Sequence, residues 1–174
     1  MQQIWDANGL CQTFNAHQGV ITALSWQPLK DAPDTIEETE RLIASAGEDG
    51  AISIWNARSS ETKSKYSMTM ATSVVALSFT PEGDYIAGAT NDQILIWKTD
   101  DVNLPRASWV RNDDAGWRTP QSHDSSNDED QFSLSWDANG RKLAYGVNSR
   151  VSTKSVWYNA KLMSIQLAVI DFRP

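Results

Sequence analysis

Cysteine is nearly missing from this chain: Cys11 stands alone in 174 residues. That excludes a disulfide framework and any cysteine cluster able to hold a metal. Long apolar runs are missing too, since none approaches the roughly 18 residues that a membrane-spanning helix needs. The opening MQQIWDANGL lacks the basic and apolar regions of a secretory leader. These absences predict an intracellular protein with no membrane partner. Positive charge is also short: 15 Lys and Arg against 22 Asp and Glu leave a net charge of −7. Nonspecific attraction to nucleic acid is therefore disfavoured, and no direct nucleic-acid partner is expected. No pattern in the chain implies a cofactor.

Tryptophan, by contrast, is plentiful, with eight copies, and its spacing carries the first positive signal. Val20–Pro28 (VITALSWQP), Ser73–Pro81 (SVVALSFTP) and Gln131–Ala138 (QFSLSWDA) each alternate apolar and polar residues and end on an aromatic and turn residues. A small, apolar second strand follows each: RLIASAG from Arg41, YIAGAT from Tyr85 and KLAYGV from Lys142. After a short turn, the first two copies enter a third strand ending on tryptophan, AISIWN and QILIWK, with outer fourth strands predicted near Thr62 and Arg106. Trp55 and Trp97 lie 42 residues apart, inside the roughly 40–45 residue period of a four-stranded propeller blade.

These residues resemble WD40 repeats over most of the chain, which implies an all-β fold, a partial WD40 β-propeller. Residues 1–16 read as the remnant of an incomplete blade: Ile4-Trp5-Asp6 ends a third strand and the stretch from Gly9 forms the outer one. Two whole blades are predicted over 17–70 and 71–111, an acidic flexible linker over 112–131, and a final partial blade over 132–174. The repeat-defining residues are Trp5, Asp6, Trp97, Ile170 and Asp171. Rings of this kind typically hold 4–8 blades, so the sequence is expected to be a fragment of a longer chain that needs further blades or another chain to close.

A serine, a histidine and an aspartate in the first whole blade invite a catalytic-triad reading. The repeat pattern accounts for them more simply. In WD40 proteins a histidine before the first strand, a Ser in the second, an Asp in the turn and the Trp of the third form a buried hydrogen-bond network. His17, Ser45, Asp49 and Trp55 match those positions, with Ser45 ten residues and Asp49 six residues before Trp55. A buried indole N–H and hydroxyl need partners, and an imidazole bridges hydroxyl and carboxylate. IASAG around Ser45 is also not the G-x-S-x-G elbow of a hydrolase. We therefore expect a structural network, no catalytic residue and no enzyme activity. The second blade lacks the set, having Ala87 and Asn91 at the corresponding positions and no histidine before Ser73, and is expected to rely on apolar packing.

Two acidic stretches separate the strands. Lys30–Glu40 contains Pro33 and is predicted to be a solvated loop. Residues 112–131 are polar and aperiodic. There His123, Asp124, Asp128 and Asp130 lack the order of a calcium loop, so no metal is expected. Ser125 and Ser126 each have an acid three residues on, which suits an acidophilic kinase. Trp109 and Trp117 are candidate binding anchors, although Trp109 fits an outer strand.

Finer detail narrows the resemblance. The long insertion before LIASAGEDGAISIWN and the turn Trp136-Asp137-Ala138-Asn139-Gly140 are similar to the C-terminal blades of transducin beta-like corepressor proteins. That resemblance implies a nuclear, non-enzymatic scaffold of a histone-deacetylase complex, binding corepressor subunits and possibly histone tails. A generic WD40 adaptor, in ubiquitin ligation or trafficking, shares every repeat feature.

The tail breaks the period. Counting from Ser149, the tryptophan position of the last blade falls on Ser155, two residues before Trp157. With Val151–Gln166 omitted, LAYGVNSR runs directly into LAVIDFRP, and Ile170 and Asp171 take the Trp and Asp positions. The omitted 16 residues correspond to 48 nucleotides. Val151-Ser152 can be encoded as a splice donor and Ile165-Gln166 as an acceptor. We expect 151–166 to be an insertion, a translated retained intron looped out ahead of the closing strand, with a surface insertion or a frayed C-terminal arm as the alternative.

Overall fold

A computed structural model describes residues 2–5, 11–15, 17–29, 40–59, 63–110, 131–152 and 161–173. All regular structure among them is β-strand. Strands β1 (Gln2–Trp5) and β2 (Cys11–Phe14) pair as an antiparallel hairpin. β3 (Ile21–Trp26), β4 (Leu42–Gly47), β5 (Ala51–Asn56) and β6 (Tyr66–Thr69) form a four-stranded sheet in chain order. A second meander contains β7 (Ala76–Phe79), β8 (Tyr85–Ala89), β9 (Gln93–Lys98) and β10 (Ala107–Val110). The third sheet has three strands: β11 (Gln131–Trp136), β12 (Lys142–Ser152) and β13 (Lys161–Asp171). Two whole blades and two incomplete ones are what the repeat implies, and the fold is all-β as expected.

The period-2 pattern explains how the sheets stack. Side chains alternate across a strand, so β4, whose six residues are all buried, serves two interfaces at once. Leu42, Ala44 and Ala46 join Ile52 and Ile54 against Leu77, Phe79, Ile86 and Trp97 of the second sheet and Val74 just before it. On the opposite face, Ile43 and Trp55 meet Phe14 and Ile4 of the N-terminal hairpin. The other face of the second sheet, with Ala87, Ala89, Ile94 and Ile96, packs on Leu143, Tyr145 and Phe172 of the third. Each fully buried isoleucine in such a layer contributes roughly 1.5–3 kcal/mol.

Polar bonds tie the sheets together where the apolar layers end. The Thr22 hydroxyl donates to the Val74 carbonyl, and Gln27 Nε2 donates to the Gly83 carbonyl at 2.9 Å. From the third sheet, Trp136 Nε1 donates to the Ser78 carbonyl at 3.2 Å and the Tyr145 hydroxyl to the Thr90 carbonyl at 3.1 Å. The first strand of the second blade, predicted from Ser73, begins at Ala76. The reason is that the Val74 N–H donates to the Gly47 carbonyl of the first sheet at 3.1 Å, holding that segment as a bridge between sheets.

The hairpin turns also repeat. In the second sheet Thr80 Oγ1 accepts the Tyr85 N–H at 3.1 Å. In the third, Asp137 Oδ1 accepts the Arg141 and Lys142 N–H groups, both at 2.8 Å. Burial pushes nothing decisive here, because the Lys142 and Arg141 N–H bonds hold the Asp137 carboxyl below its ordinary range.

The tail differs from a looped-out insertion at both of its ends. Ile170 pairs with Leu143, as Trp55 pairs with Ile43 and Trp97 with Ile86. The β12–β13 ladder then runs on without a register break through Val147↔Gln166 to Ser152↔Lys161. Extended pairing wins because neither arm carries glycine or proline beyond Gly146, so nothing interrupts a ladder already in register. Residues 153–160 lie outside the described residues.

This geometry makes a deletion testable. Removing 151–166 would connect Gly146 to Leu167, which already pair, through the four residues 147–150. The second sheet spans the equivalent gap from Ala89 to Ile94 with four residues. The deletion variant is expected to melt at or above the parent temperature, since shortening a loop lowers its closure entropy. A fall of more than about 4 °C, on the order of 1 kcal/mol for a chain this long, would show the insert to be part of the folded unit.

Candidate functional site

Four side chains singled out by sequence meet at one end of the first four-stranded sheet. Ser45 lies on β4 and Trp55 on β5, side by side because Leu24↔Ser45 and Ile43↔Trp55 register places them on one face. Asp49 occupies the β4–β5 turn, and His17 enters from the segment before β3. The Trp55 indole N–H donates to Ser45 Oγ at 3.1 Å. His17 Nε2 is 2.9 Å from Ser45 Oγ, and His17 Nδ1 is 3.0 Å from Asp49 Oδ1. One tautomer satisfies every atom: Nδ1–H donates to the carboxylate while Nε2 accepts the Ser45 hydroxyl proton.

Asp49 closes the chain into a framework. Its Oδ2 accepts the Gln18 N–H at 2.9 Å and its Oδ1 the Ala51 N–H at 3.1 Å. Burial pushes the Asp49 carboxyl up, but the Gln18, His17 and Ala51 hydrogen bonds outweigh it and hold the pKa below the ordinary aspartate value. The folded state therefore binds this proton less tightly than the unfolded chain. Asp49's contribution is complete above the unfolded pKa near 4 and drains away as pH falls through the lower folded value. Thermal melts of the parent and Asp49→Asn between pH 3 and 7 are expected to show a gap that is constant above about pH 5 and narrows in acid. A gap that is the same at pH 3 as at pH 7 would contradict the assignment.

The sequence reading did not single out Gly47. A Cβ there would lie 2.7 Å from His17 Nδ1 and 2.8 Å from Asp49 Oδ1, so the network closes over a bare backbone. Its signal was available in the small-residue run ASAG just before the acidic turn.

Chemically the set is turned inward. Ser45 is 0% exposed, and the His17 side chain is also 0% exposed. The hydroxyl is held between an indole donor and an imidazole acceptor, with no open approach for a substrate carbonyl.

The other candidate residues are dispersed. Trp97 is 3% exposed and packs toward the first sheet, with Ala87 where the first sheet has Ser45. Trp5 is 64% exposed on β1, and Asp6 lies outside the described residues. Ile170 packs in the core between the second and third sheets, whereas Asp171 is exposed and lines a cleft with Arg141, Lys142 and Arg173. Trp109 lies on β10 with its ring 6.5 Å from that of Tyr145, edge to face, as an outer-strand residue rather than a free anchor. His123, Asp124, Asp128, Asp130, Ser125, Ser126 and Trp117 all lie outside the described residues. Among the described residues no group of three His, Cys, Asp or Glu side chains is arranged to hold a metal, and no helix is long and apolar enough to cross a membrane.

Comparison with known proteins gives the same repeat from a separate direction. The family described as WD domain, G-beta repeat matches residues 8–56 and 63–98. The small ribosomal subunit protein RACK1 of Candida albicans is 28% identical over 138 residues, covering 79% of this chain. The chain spans 37% of that relative's length.

Proposed function

We propose that this chain, a WD40-repeat protein, is a non-enzymatic adaptor that brings other proteins together. The observation that carries the reading is the inward commitment of the Ser–His–Asp set. Ser45 Oγ accepts the Trp55 N–H and is fully buried, so the chain's triad-like residues hold its sheet together. Interaction then falls to exposed loops and sheet faces, where binding residues of a rigid scaffold ordinarily sit.

Two finer readings are separable by partner. The turn Trp136–Gly140 and the insertion after Gln27-Pro28 support a nuclear corepressor subunit working with a histone deacetylase and histone tails. The similarity to a small ribosomal subunit protein supports the general adaptor more directly, with ribosomal particles among its candidate partners. We prefer the general adaptor, because the similarity that supports it extends over 79% of the chain.

The test is affinity purification of the tagged chain from cells, followed by gradient sedimentation and a deacetylase assay of the bound material. Co-sedimentation with small ribosomal subunits selects one reading and co-purified deacetylase activity the other. Covalent labelling of Ser45 by a fluorophosphonate serine probe would overturn the non-enzymatic assignment itself.

A further inference from the structure

The seam between the first and second sheets and the seam between the second and third use the same positions but fill them differently. Leu42 and Tyr85 correspond, since each opens the second strand of its sheet, opposite Asn56 and Lys98. Thr99 and Phe172 correspond too. Each follows a third strand, with its N–H on the carbonyl just before the second strand, Asp84 or Arg141. Between the second and third sheets, Tyr85 meets Phe172 edge to face at 5.1 Å, and Phe172 meets Trp136 at 5.6 Å. Aromatic rings fill that seam. Between the first and second sheets the same places hold only Leu42 and Thr99, and a groove of about 400 Å³ stays open there. That volume lies inside the roughly 300–1,000 Å³ range of ligand pockets.

The residue after the first strand departs from its counterparts as well. Gln27, Thr80 and Asp137 are equivalent, each donating its N–H to the first residue of the next strand. Thr80 and Asp137 cap their own hairpin turns. Gln27 instead crosses to the second sheet, where its Nε2 donates to the Gly83 carbonyl at 2.9 Å. Thr99 Oγ1 donates to the same carbonyl, also at 2.9 Å. Both side chains therefore turn a donor toward Gly83. What they leave to the groove they line is acceptor capacity: Gln27 Oε1, which accepts no bond among the described residues, and the lone pairs of the Thr99 hydroxyl.

Charge points the same way. Lys65 is paired with Glu40 on the first-sheet wall, and Lys98 with Asp100 on the second at 2.9 Å. Asp84 also lines the groove, so the carboxylates outnumber the ammonium groups. An incoming anion would have to take a lysine from its carboxylate, whereas an incoming cation meets the excess of negative charge. Leu42 and Tyr66 add an apolar side. A guanidinium suits this mixture, because its planar fork donates in several directions while its stem lies along apolar surface.

We propose that the groove between the first and second sheets receives an arginine side chain of a partner protein. The guanidinium donates to Gln27 Oε1 and Thr99 Oγ1 beside the Asp100 carboxylate, and the stem runs over Leu42 and Tyr66. Both walls belong to four-stranded sheets. The inference deepens the adaptor reading, and rests on it for a protein rather than a small molecule as the occupant.

Binding is read by fluorescence anisotropy of a fluorescein-labelled Gly-Ser-Arg-Ser-Gly peptide titrated with the 174-residue chain, beside lysine and citrulline versions. The arginine peptide is expected to bind about tenfold more tightly than either, the difference that one charge-assisted hydrogen bond makes. Gln27→Met keeps the side-chain length and removes the acceptor, while the Gly83 carbonyl keeps its Thr99 bond. It is expected to weaken the arginine peptide about tenfold with unchanged β-sheet circular dichroism. Thr99→Phe copies the third sheet's residue into the groove and is expected to abolish binding; if it disturbs the fold, Gln27→Met carries the test. Asn91→Ala, in the β8–β9 turn at the other end of the sheet, is expected to bind as the parent does. Absence of binding, equal binding of the arginine and citrulline peptides, or undiminished binding by Gln27→Met would each overturn the groove assignment. The adaptor reading fails by a different result: a tagged chain that captures no protein from cells although the arginine peptide binds with these preferences.

Discussion

Replacing Trp97 by alanine is expected to cost about 3–5 kcal/mol, a melting shift of roughly 6–20 °C for a chain of this size. The ring is 3% exposed and belongs to the layer between the first two sheets. Beneath it, Gly88 allows an unusually close approach: a Cβ there would lie 2.6 Å from Ile52 Cδ1 and 3.3 Å from both Met70 Sδ and Trp97 Cζ3. Three large side chains from two sheets therefore converge over a residue that has no side chain of its own. When the indole is removed, Gly88 has nothing to move into the space, and the sheets are held apart by Ile52, Ile54 and Phe79. The cavity should persist, which is why the upper part of the range applies. Trp5→Ala is the matched control. That side chain is 64% exposed, and its loss is expected to change stability by no more than about 0.5 kcal/mol. Equal shifts for the two variants in thermal melts would refute the packing account.

The second large effect is expected from His17→Ala, at about 2–4 kcal/mol. The imidazole supplies Nδ1–H to Asp49 and accepts the Ser45 hydroxyl proton. Its removal leaves a buried hydroxyl with one lost partner and a partly buried carboxylate with another, at roughly 1–3 kcal/mol for each orphaned group. It also empties a side-chain volume that is 0% exposed. Asn91→Ala, at the position in the second sheet that corresponds to Asp49, is exposed and is expected to cost well under 1 kcal/mol. A double-mutant cycle sharpens the comparison. His17→Ala and Asp49→Ala share one hydrogen bond and should be non-additive by about 0.5–3 kcal/mol, while His17→Ala and Asn91→Ala should simply add. Equal melting shifts for His17→Ala and Asn91→Ala would contradict the network.

Much of this was legible in order along the chain, and the reason is local. A strand betrays itself by alternation, a blade by the distance between its tryptophans, and the network by Ser45 and Asp49 at set offsets from Trp55, with His17 just before the first strand. None of these needs a second sheet to be visible. Gly47 escaped notice because its importance is a distance, 2.7 Å from where its Cβ would be to His17 Nδ1, and the two residues are 30 positions apart. The second sheet shows the same limit. Ala87 in place of serine announced a missing network, but not that Thr90, through Asp92 at 2.7 Å and the Tyr145 hydroxyl on its carbonyl, anchors the turn instead.

The tail divides the two sources of information most clearly. Sequence alone raised Ile170 and Asp171 as candidates for the repeat's Trp and Asp positions, and 151–166 as a segment outside its period. Tertiary structure decided that the ends of that segment prolong the ladder, because pairing depends on register and on freedom from interruption rather than on the repeat's period. The same division governs the surface. Ser–Ala–Ile rows and Leu–aromatic pairs can be read from sequence as alternation on either side of a strand. Only stacking decides which of them is covered, since burial belongs to two elements at once. Leu24 and Leu77 sit in nearly identical words, ALSW and ALSF, yet one is exposed and the other buried, because a sheet lies over the second and, among the described residues, none lies over the first.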